Sequence, residues 1–462
     1  MSAKGLELAI EKMRTAKVSE PAIEVFSHYY EQLESGATGL IREDTIDPLI
    51  DPPMLDDVEV DEQQAREAMA TTVIIKLNGG LGTSMGLDKA KNLLEVRDGK
   101  TFLDIIAQQV LAAREQYGAR IPLLLMNSFR TQDDTLEALA KYPELEVDGL
   151  PLDFLQNQEP KLLADGLTPA EWPADPSLEW CPPGHGDLYP ALMGSGVLDQ
   201  LIEAGFRYAS VSNGDNLGAA PDARVAGWFA STGAPYAAEL CRRTVNDRKG
   251  GHLAVRKSDG QLVLRDTAQC APEEMDYFTD EHRHPFFHTN NLWLDLVAVR
   301  DALAERKGVL GLPLIRNEKT VDPADGSSPK VIQVESAMGA AIEVFAGATA
   351  ICVGRDRFLP VKTTNELLLL RSDIYELDES GHLVAQADTP GVSLDKPYKL
   401  VQEFEKRIPQ APSLRRASSF TVLGDVTFGR DVSVVGNVEV QASAPATVAD
   451  GTVLEGKVQL DA

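Results

Sequence analysis

Residues 71–86 read TTVIIKLNGGLGTSMG, an apolar run that breaks into four glycines within eight residues. The run is β-branched and too short for a buried helix, so it predicts one buried strand. Glycine has no Cβ, so the chain after the strand can turn tightly and bring its backbone close to a ligand. Exposed N–H groups in such a loop make an anion-binding concavity, and a helix following it would add its dipole. The Walker spacing GxxxxGK[ST] has no match, and GxGxxG fails because position 85 is methionine and Gly86 comes one residue late. Lys89 and Lys91 follow in LDKAKNLLEV, within reach of a phosphate held by the loop.

The strand-then-helix pattern repeats. TFLDIIAQQVLAAREQYG reads as a helix, IPLLLMNS as a strand, TQDDTLEALAKY as a helix, and GFRYASVSNGD as a strand with a polar end. This alternation predicts an α/β fold with a mostly parallel sheet covered by helices. Ligands in such folds sit beyond the carboxyl ends of the strands, which places LNGG and SNGD there.

Residues 1–70 read as a helical region that ends in the Pro/Asp-rich crossing IDPLIDPPMLDDVEV. Residues 71–405 carry the alternating pattern. In residues 406–462 Val426, Val432 and Val438 recur every six residues, with Gly424, Gly429 and Gly436 between them. That period suggests a small left-handed parallel β-helix, with an antiparallel hairpin array as the alternative.

The formal net charge of −27 argues against nucleic acid and anionic membranes as partners. Any anionic substrate must then be held by local cations and backbone amides. The four cysteines form no CxxC pair, which points to reduced, buried thiols in a cytosol. No run approaches the roughly 20 apolar residues of a membrane helix, and the N-terminus reads as an amphipathic helix, so a cytoplasmic location is expected. In HRHPFFH, Pro285 interrupts any helix that would gather His282, His284 and His288, which argues against a zinc site.

KLNGGLGTSMG followed by AKNLLEV resembles the signature of the UTP–glucose-1-phosphate uridylyltransferases, the eukaryotic-type UDP-glucose pyrophosphorylases. DFLQNQEPKL is similar to the family's uridine-reading segment, WCPPGHGDLYPAL to its Pro-Pro-Gly-His-Gly-Asp loop, and VSNGDNLGA to its metal-bearing strand end. FHTNNLW, VIQVESAMGAAI, RFLPVKTTNELLLL and VTFGRDVSVVGNV resemble later blocks, so the similarity runs from about residue 70 to about residue 460. The resemblance implies a Rossmann-like nucleotidyltransferase core, a helical N-terminal region and a C-terminal left-handed β-helix, through which copies of the chain could associate. It implies UTP, glucose 1-phosphate, UDP-glucose and pyrophosphate as ligands, with Mg²⁺ as cofactor. A UDP-N-acetylhexosamine or broad UDP-sugar pyrophosphorylase is the alternative.

The same resemblance assigns residues. Lys91 and Lys362 match the catalytic lysines, and Asp215 matches the magnesium aspartate. Leu77, Asn78, Gly79, Gly80, Thr83, Met85, Gly86, Met126, Gln156 and Gly184 form the implied nucleotide pocket. Gln156 carries both a donor and an acceptor for uracil. His185, Asn213, Asp266 and Asn290, with Lys362, form the implied sugar-phosphate side. Two positions depart from the family: His288 stands where asparagine is usual, and Asp266 where glutamate is usual.

Overall fold

The computed structural model describes residues 2–244, 247 and 250–460. Its centre is a seven-stranded sheet built from β1 (Thr72–Asn78), β2 (Leu123–Asn127), β3 (Asp153–Leu155), β4 (Tyr208–Asn213), β5 (Tyr236–Arg242), β6 (Phe286–Asp295) and β7 (Thr349–Cys352). The spatial order is β7-β5-β6-β4-β1-β2-β3. β1 runs parallel to both β2 and β4, β2 to β3, and β5 to β7, while β6 is antiparallel to both of its neighbours. The mixed, mostly parallel sheet expected from the alternation is therefore present.

Both faces of the sheet are buried, which is why its strands read as apolar runs instead of alternating ones. Val73, Ile75, Leu124, Met126 and Val211 belong to one core, and Ile74, Leu123 and Leu125 to the other. The first core also takes Ala9, Met13, Phe26 and Tyr30 from the N-terminal helices Ser2–Thr15 and Glu20–Glu34. Those helices complete one face of the sheet.

The glycine loop does not open onto a helix as expected. Gly82 and Gly86 adopt left-handed φ values of 66° and 77°, which stop helix propagation on either side of the single turn Thr83–Met85. A second turn, Lys91–Leu93, and a short hairpin follow. The first long helix starts only at Phe102, where Thr101 and Asp104 form a capping box. The dipole of this long helix therefore does not begin at the glycine loop.

The C-terminal strands Gly391–Leu394, Ser413–Leu423, Ser433–Ala442 and Val453–Leu460 pair in parallel in that order. Ser413 faces Ser433, Ser433 faces Val453, and Val426 faces Ala446 in a second parallel sheet, so each coil takes twenty residues. Parallel pairing rules out the hairpin array. Val426, Val432 and Val438 all point inward, at 0%, 1% and 2% exposure. The coil's first strand precedes residue 406. Its interior also merges with the main core at Tyr398, whose hydroxyl donates to the Val426 carbonyl at 2.5 Å. Among the described residues, no helix is long and apolar enough to cross a membrane. All four cysteines are free and buried.

Candidate active site

From β1 the chain proceeds outward to β2 and β3 on one side, and later returns to place β4 on the other. The strand order thus reverses between β1 and β4, and a crevice opens at their carboxyl ends. A cleft of about 380 Å³ lies there. Leu77, Asn78, Gly79 and Gly80 line it from the end of β1, Met126 from β2, and Gln156 from the turn after β3. Gly184 and His185 line it from the loop before residue 188, Asn213 and Asp215 from the end of β4, and Lys91 from the turn after the glycines. Asn92, Pro182 and Gly214 also line it and were not anticipated. Each lies inside a motif already singled out, within two residues of one that was.

Three assignments are corrected. Thr83, Met85 and Gly86 do not line the cleft, because the turn between the two left-handed glycines folds them away. Met85 is 2% exposed in the core, Gly86 packs against Leu400, and Thr83 is exposed. Of the four glycines of the loop, Gly79 and Gly80 line the cleft. A Cβ on Gly79 would lie 2.6 Å from Gln156 Oε1, and one on Gly214 would lie 1.9 Å from Asn92 Nδ2 and 2.8 Å from the Leu77 carbonyl. At Gly214 the Leu77 backbone excludes a side chain, while at Gly79 a side chain would have to displace the Gln156 amide.

The base-side wall is held by short polar contacts. Gln156 donates its backbone N–H to the Asn127 carbonyl at 2.7 Å and its Nε2 to the Gly184 carbonyl at 3.1 Å. Asn78 is 3% exposed and spends its amide on Asn127 Oδ1 at 2.6 Å and Thr135 Oγ1 at 2.8 Å, so its side chain ties β1 to β2. The Asp187 carboxylate accepts from Asn157 N at 2.6 Å and Nδ2 at 2.9 Å, fastening the His185 loop to the Gln156 turn. Burial pushes its pKa up to about 7, against these two hydrogen bonds.

The charged groups converge across long stretches of sequence. Lys91 Nζ lies 2.5 Å from Asp215 Oδ2 and also donates to the Val361 carbonyl. Lys362 is the next residue. Its side chain is exposed, makes no hydrogen bond or ion pair among the described residues, and does not line the cleft. Its segment is nevertheless fixed. Asn216 accepts from Leu359 N at 2.8 Å and donates to Asn291 Oδ1 at 3.0 Å and the Arg357 carbonyl at 3.2 Å. Arg357 is buried against Glu239 at 2.7 Å, and Glu239 also accepts from Trp293 Nε1 at 2.9 Å. Sequence reading missed this buried network, although Asn216 and Arg357 lie within the SNGDN and RFLP motifs. Lys89 is exposed and does not line the cleft.

The sugar-side candidates form a second wall that meets the first at His185. His185 Nδ1 accepts from Met338 N at 3.0 Å, and burial lowers its pKa although the Asp266 charge opposes this. The ring is therefore neutral near pH 7 and keeps its proton on Nε2. His288 is 6% exposed, its Nδ1 accepts from Asn290 N at 3.1 Å, and burial pushes its pKa down to about 4. Its buried Nε2 has no partner among the described residues. Asn290 has a left-handed φ of 60° in the middle of β6, where the β5–β6 register shifts between Ala238 and Leu240. Asp266 caps the turn Thr267–Gln269. It approaches Gly251, whose carbonyl accepts from His288 N at 2.8 Å. Asp266 and Asn290 stand behind the cleft surface.

HRHPFFH is divided between two places. His284 pairs with Glu43 at 3.2 Å and stacks on His252 at 3.8 Å, while His288 faces the sugar wall. Among the described residues, no three His, Cys, Asp or Glu side chains form a metal-holding group. Asp215 offers one carboxylate in the cleft, and only one of its oxygens is engaged by Lys91 among the described residues. That donor set suits a hard divalent ion that draws most of its shell from phosphate and water.

A family model described as UTP–glucose-1-phosphate uridylyltransferase matches residues 23–435. A UTP–glucose-1-phosphate uridylyltransferase of Solanum tuberosum is 38% identical over 405 residues, covering 86% of this chain and 83% of that protein. One from Saccharomyces cerevisiae is 40% identical over 397 residues, covering 84% and 78%. A crystal structure of UDP-glucose phosphorylase from Trypanosoma brucei aligns with a TM-score of 0.92 at 41% identity, over 99% of this chain and 100% of that one. A mutant UDP-glucose pyrophosphorylase from Leishmania major in complex with UDP-glucose aligns with a TM-score of 0.92 at 43% identity, over 98% and 99%.

Proposed function

The chain belongs to the UTP–glucose-1-phosphate uridylyltransferase family, and we propose that it joins UTP and α-D-glucose 1-phosphate to give UDP-glucose and pyrophosphate. The observation that carries the site assignment is the Lys91 ammonium, bonded at once to Asp215 and to the carbonyl beside Lys362. One cation thus connects the glycine loop, the end of β4 and the segment of the second lysine.

The reaction needs no protein nucleophile. The sugar phosphate oxygen bonds to the α-phosphorus in line as the bond to the β-phosphate oxygen breaks, and pyrophosphate departs. Both reactants are anions, so catalysis consists of positioning and charge compensation. Gly79 and Gly80 let the nucleotide approach the backbone, and Gln156 meets uracil with its amide. Lys91 compensates the nucleotide phosphates, and Lys362 swings from solvent to meet the sugar phosphate and the α-phosphate. Neutral His185 donates Nε2–H to a phosphate oxygen without adding charge. Asn213 and Asn290 bind sugar hydroxyls, and Asp266 reaches them through a water or through its turn. Asp215 would hold Mg²⁺, which when bound neutralises phosphate charge. The Lys91–Asp215 pair loosens as the nucleotide arrives.

We further read the C-terminal coil as left-handed and as a surface for self-association, and the protein as cytoplasmic. The functional test is pyrophosphate release from UTP and a panel of sugar 1-phosphates, repeated with other nucleoside triphosphates and over a magnesium titration. UTP with glucose 1-phosphate should be the best pair. A higher kcat/KM with an N-acetylhexosamine 1-phosphate would favour the alternative substrate class, and no turnover of any pair would refute the reading.

A further inference from the structure

Lys76 is left unused by the proposed reaction. It lies on β1 immediately before Leu77 of the cleft wall, and it is 1% exposed. Its Nζ donates to Ser212 Oγ at 2.8 Å and to the Ala219 carbonyl at 2.6 Å, both uncharged acceptors. Ser212 is its register partner on β4, and Ala219 follows the turn that carries Asp215. Three charged groups act on it: Asp215 after β4, Glu239 on β5, and Arg357 in the segment before Lys362. Both carboxylates are already committed, Asp215 to Lys91 and Glu239 to Arg357.

A protonated Lys76 is therefore a cation in the interior with no carboxylate touching it among the described residues. An uncompensated buried charge is costly enough that the group sheds its proton or acquires an opposite charge. Burial, with help from Arg357, pushes the pKa of Lys76 down to about 7, against the pull of Glu239 and Asp215. In the ligand-free protein the amine is thus close to balance between its two forms. A diphosphate entering the neighbouring cleft brings the missing negative charge into a region where water screens little.

We propose that Lys76 is a third cation of the site, taking a proton from solvent as the nucleotide diphosphate binds and holding it while the ligand stays. The only covalent change is one N–H bond formed on Nζ with a proton from the buffer. The identity of the ligand rests on the functional reading above.

The test is calorimetric titration of the full chain with UDP-glucose, without added metal, at pH 6 and pH 8. Each titration is repeated in two buffers of different ionisation heat. UDP-glucose suits the purpose because its diphosphate is doubly esterified and exchanges no proton near neutrality, and without pyrophosphate it does not react. The expected result at pH 8 is uptake of roughly half a proton or more per site, shrinking toward zero at pH 6, where Lys76 is already charged. Lys76→Met should lose the uptake and bind about tenfold or more weakly. Lys76→Arg, permanently charged, should lose the uptake and keep its affinity.

His185 also faces the ligand, but its lowered pKa confines any uptake of its own to the acidic side. Asp187, with a pKa also near 7, would take up a proton over the same range, so Asp187→Asn is titrated beside the Lys76 variants. Greater uptake at pH 8 that persists in Asp187→Asn supports Lys76, and its loss in Asp187→Asn overturns it, whether or not the Lys76 variants fold. Greater uptake at pH 6, none at pH 8, or unchanged uptake in both variants overturns it. Failure of UDP-glucose to bind at all would instead overturn the functional reading.

Discussion

The two walls proposed for nucleotide and sugar are built differently. The nucleotide wall consists of strand ends and glycines from β1, β2 and β4, where a Cβ on Gly214 would meet backbone and one on Gly79 would displace the Gln156 amide. The Asn78 amide nitrogen ties β1 to β2, while its Oδ1, like the His288 Nε2 of the other wall, is buried without a partner among the described residues. The sugar wall is assembled from separated segments around His185, Asp266, His288 and Asn290. It carries a left-handed residue inside a strand. A surface made of backbone has little scope to vary, whereas one made of side chains on a bulged strand can change its ligand without disturbing the fold. His288 and Asp266, the two positions that the sequence resemblance marks as departures, both belong to the second wall.

The sharpest way to break this contrast is at Lys362, which belongs to neither wall in the free protein. Lys362→Ala should lower kcat by about 10²–10³-fold while leaving the KM for UTP within about twofold, since its charge counts most in the transition state. Steady-state kinetics with both substrates varied will check this. An equal loss in UTP affinity would move Lys362 into the nucleotide wall.

The next effect separates the walls by pH. His288 has a folded pKa near 4, below its unfolded value of about 6.5. As pH falls through this window the unfolded chain binds the proton first, so stability is lost on acidification and retained above about pH 6.5. Between pH 7 and pH 5 this one group should cost the wild type about 2 kcal/mol, measured by urea unfolding at the two values. His288→Asn should abolish most of that difference. An equal acid sensitivity in the variant would mean that the ring is not held neutral.

A third effect lies at the junction of the walls. Asp215→Asn should raise the magnesium concentration for half-maximal rate by about tenfold, as a carboxylate ligand is exchanged for an amide. An unchanged magnesium titration would remove the metal from Asp215. The smallest effect should come from His288→Asn at neutral pH, with the KM for glucose 1-phosphate shifting by only about two- to fivefold and the KM for UTP unchanged. A larger shift in UTP would mean that the walls are coupled.

These differences also explain what could be read before folding. The glycine loop, the alternation and the inward valines are local patterns, and each reports the strand, sheet or coil it belongs to. Thr83, Met85 and Gly86 were misplaced because a single turn between two left-handed glycines reverses which residues face the cleft. The helix expected behind the loop was displaced to Phe102 for the same reason. The convergence of Lys91 on the Lys362 segment, across a separation of 270 residues, was available only through resemblance. The Glu239–Arg357 pair left no sign at all, because a charged residue in a sequence reads as surface until its buried partner is known.

A cation that is bonded before its substrate arrives also screens what may enter. Lys91 must exchange a carboxylate at 2.5 Å and a carbonyl for whatever the cleft admits. Chloride offers that exchange one charge and no second donor atom, while a polyphosphate chain offers several charged oxygens at once. The resting enzyme thereby stays indifferent to the abundant small anions of its surroundings and responds to the scarcer ligand it turns over.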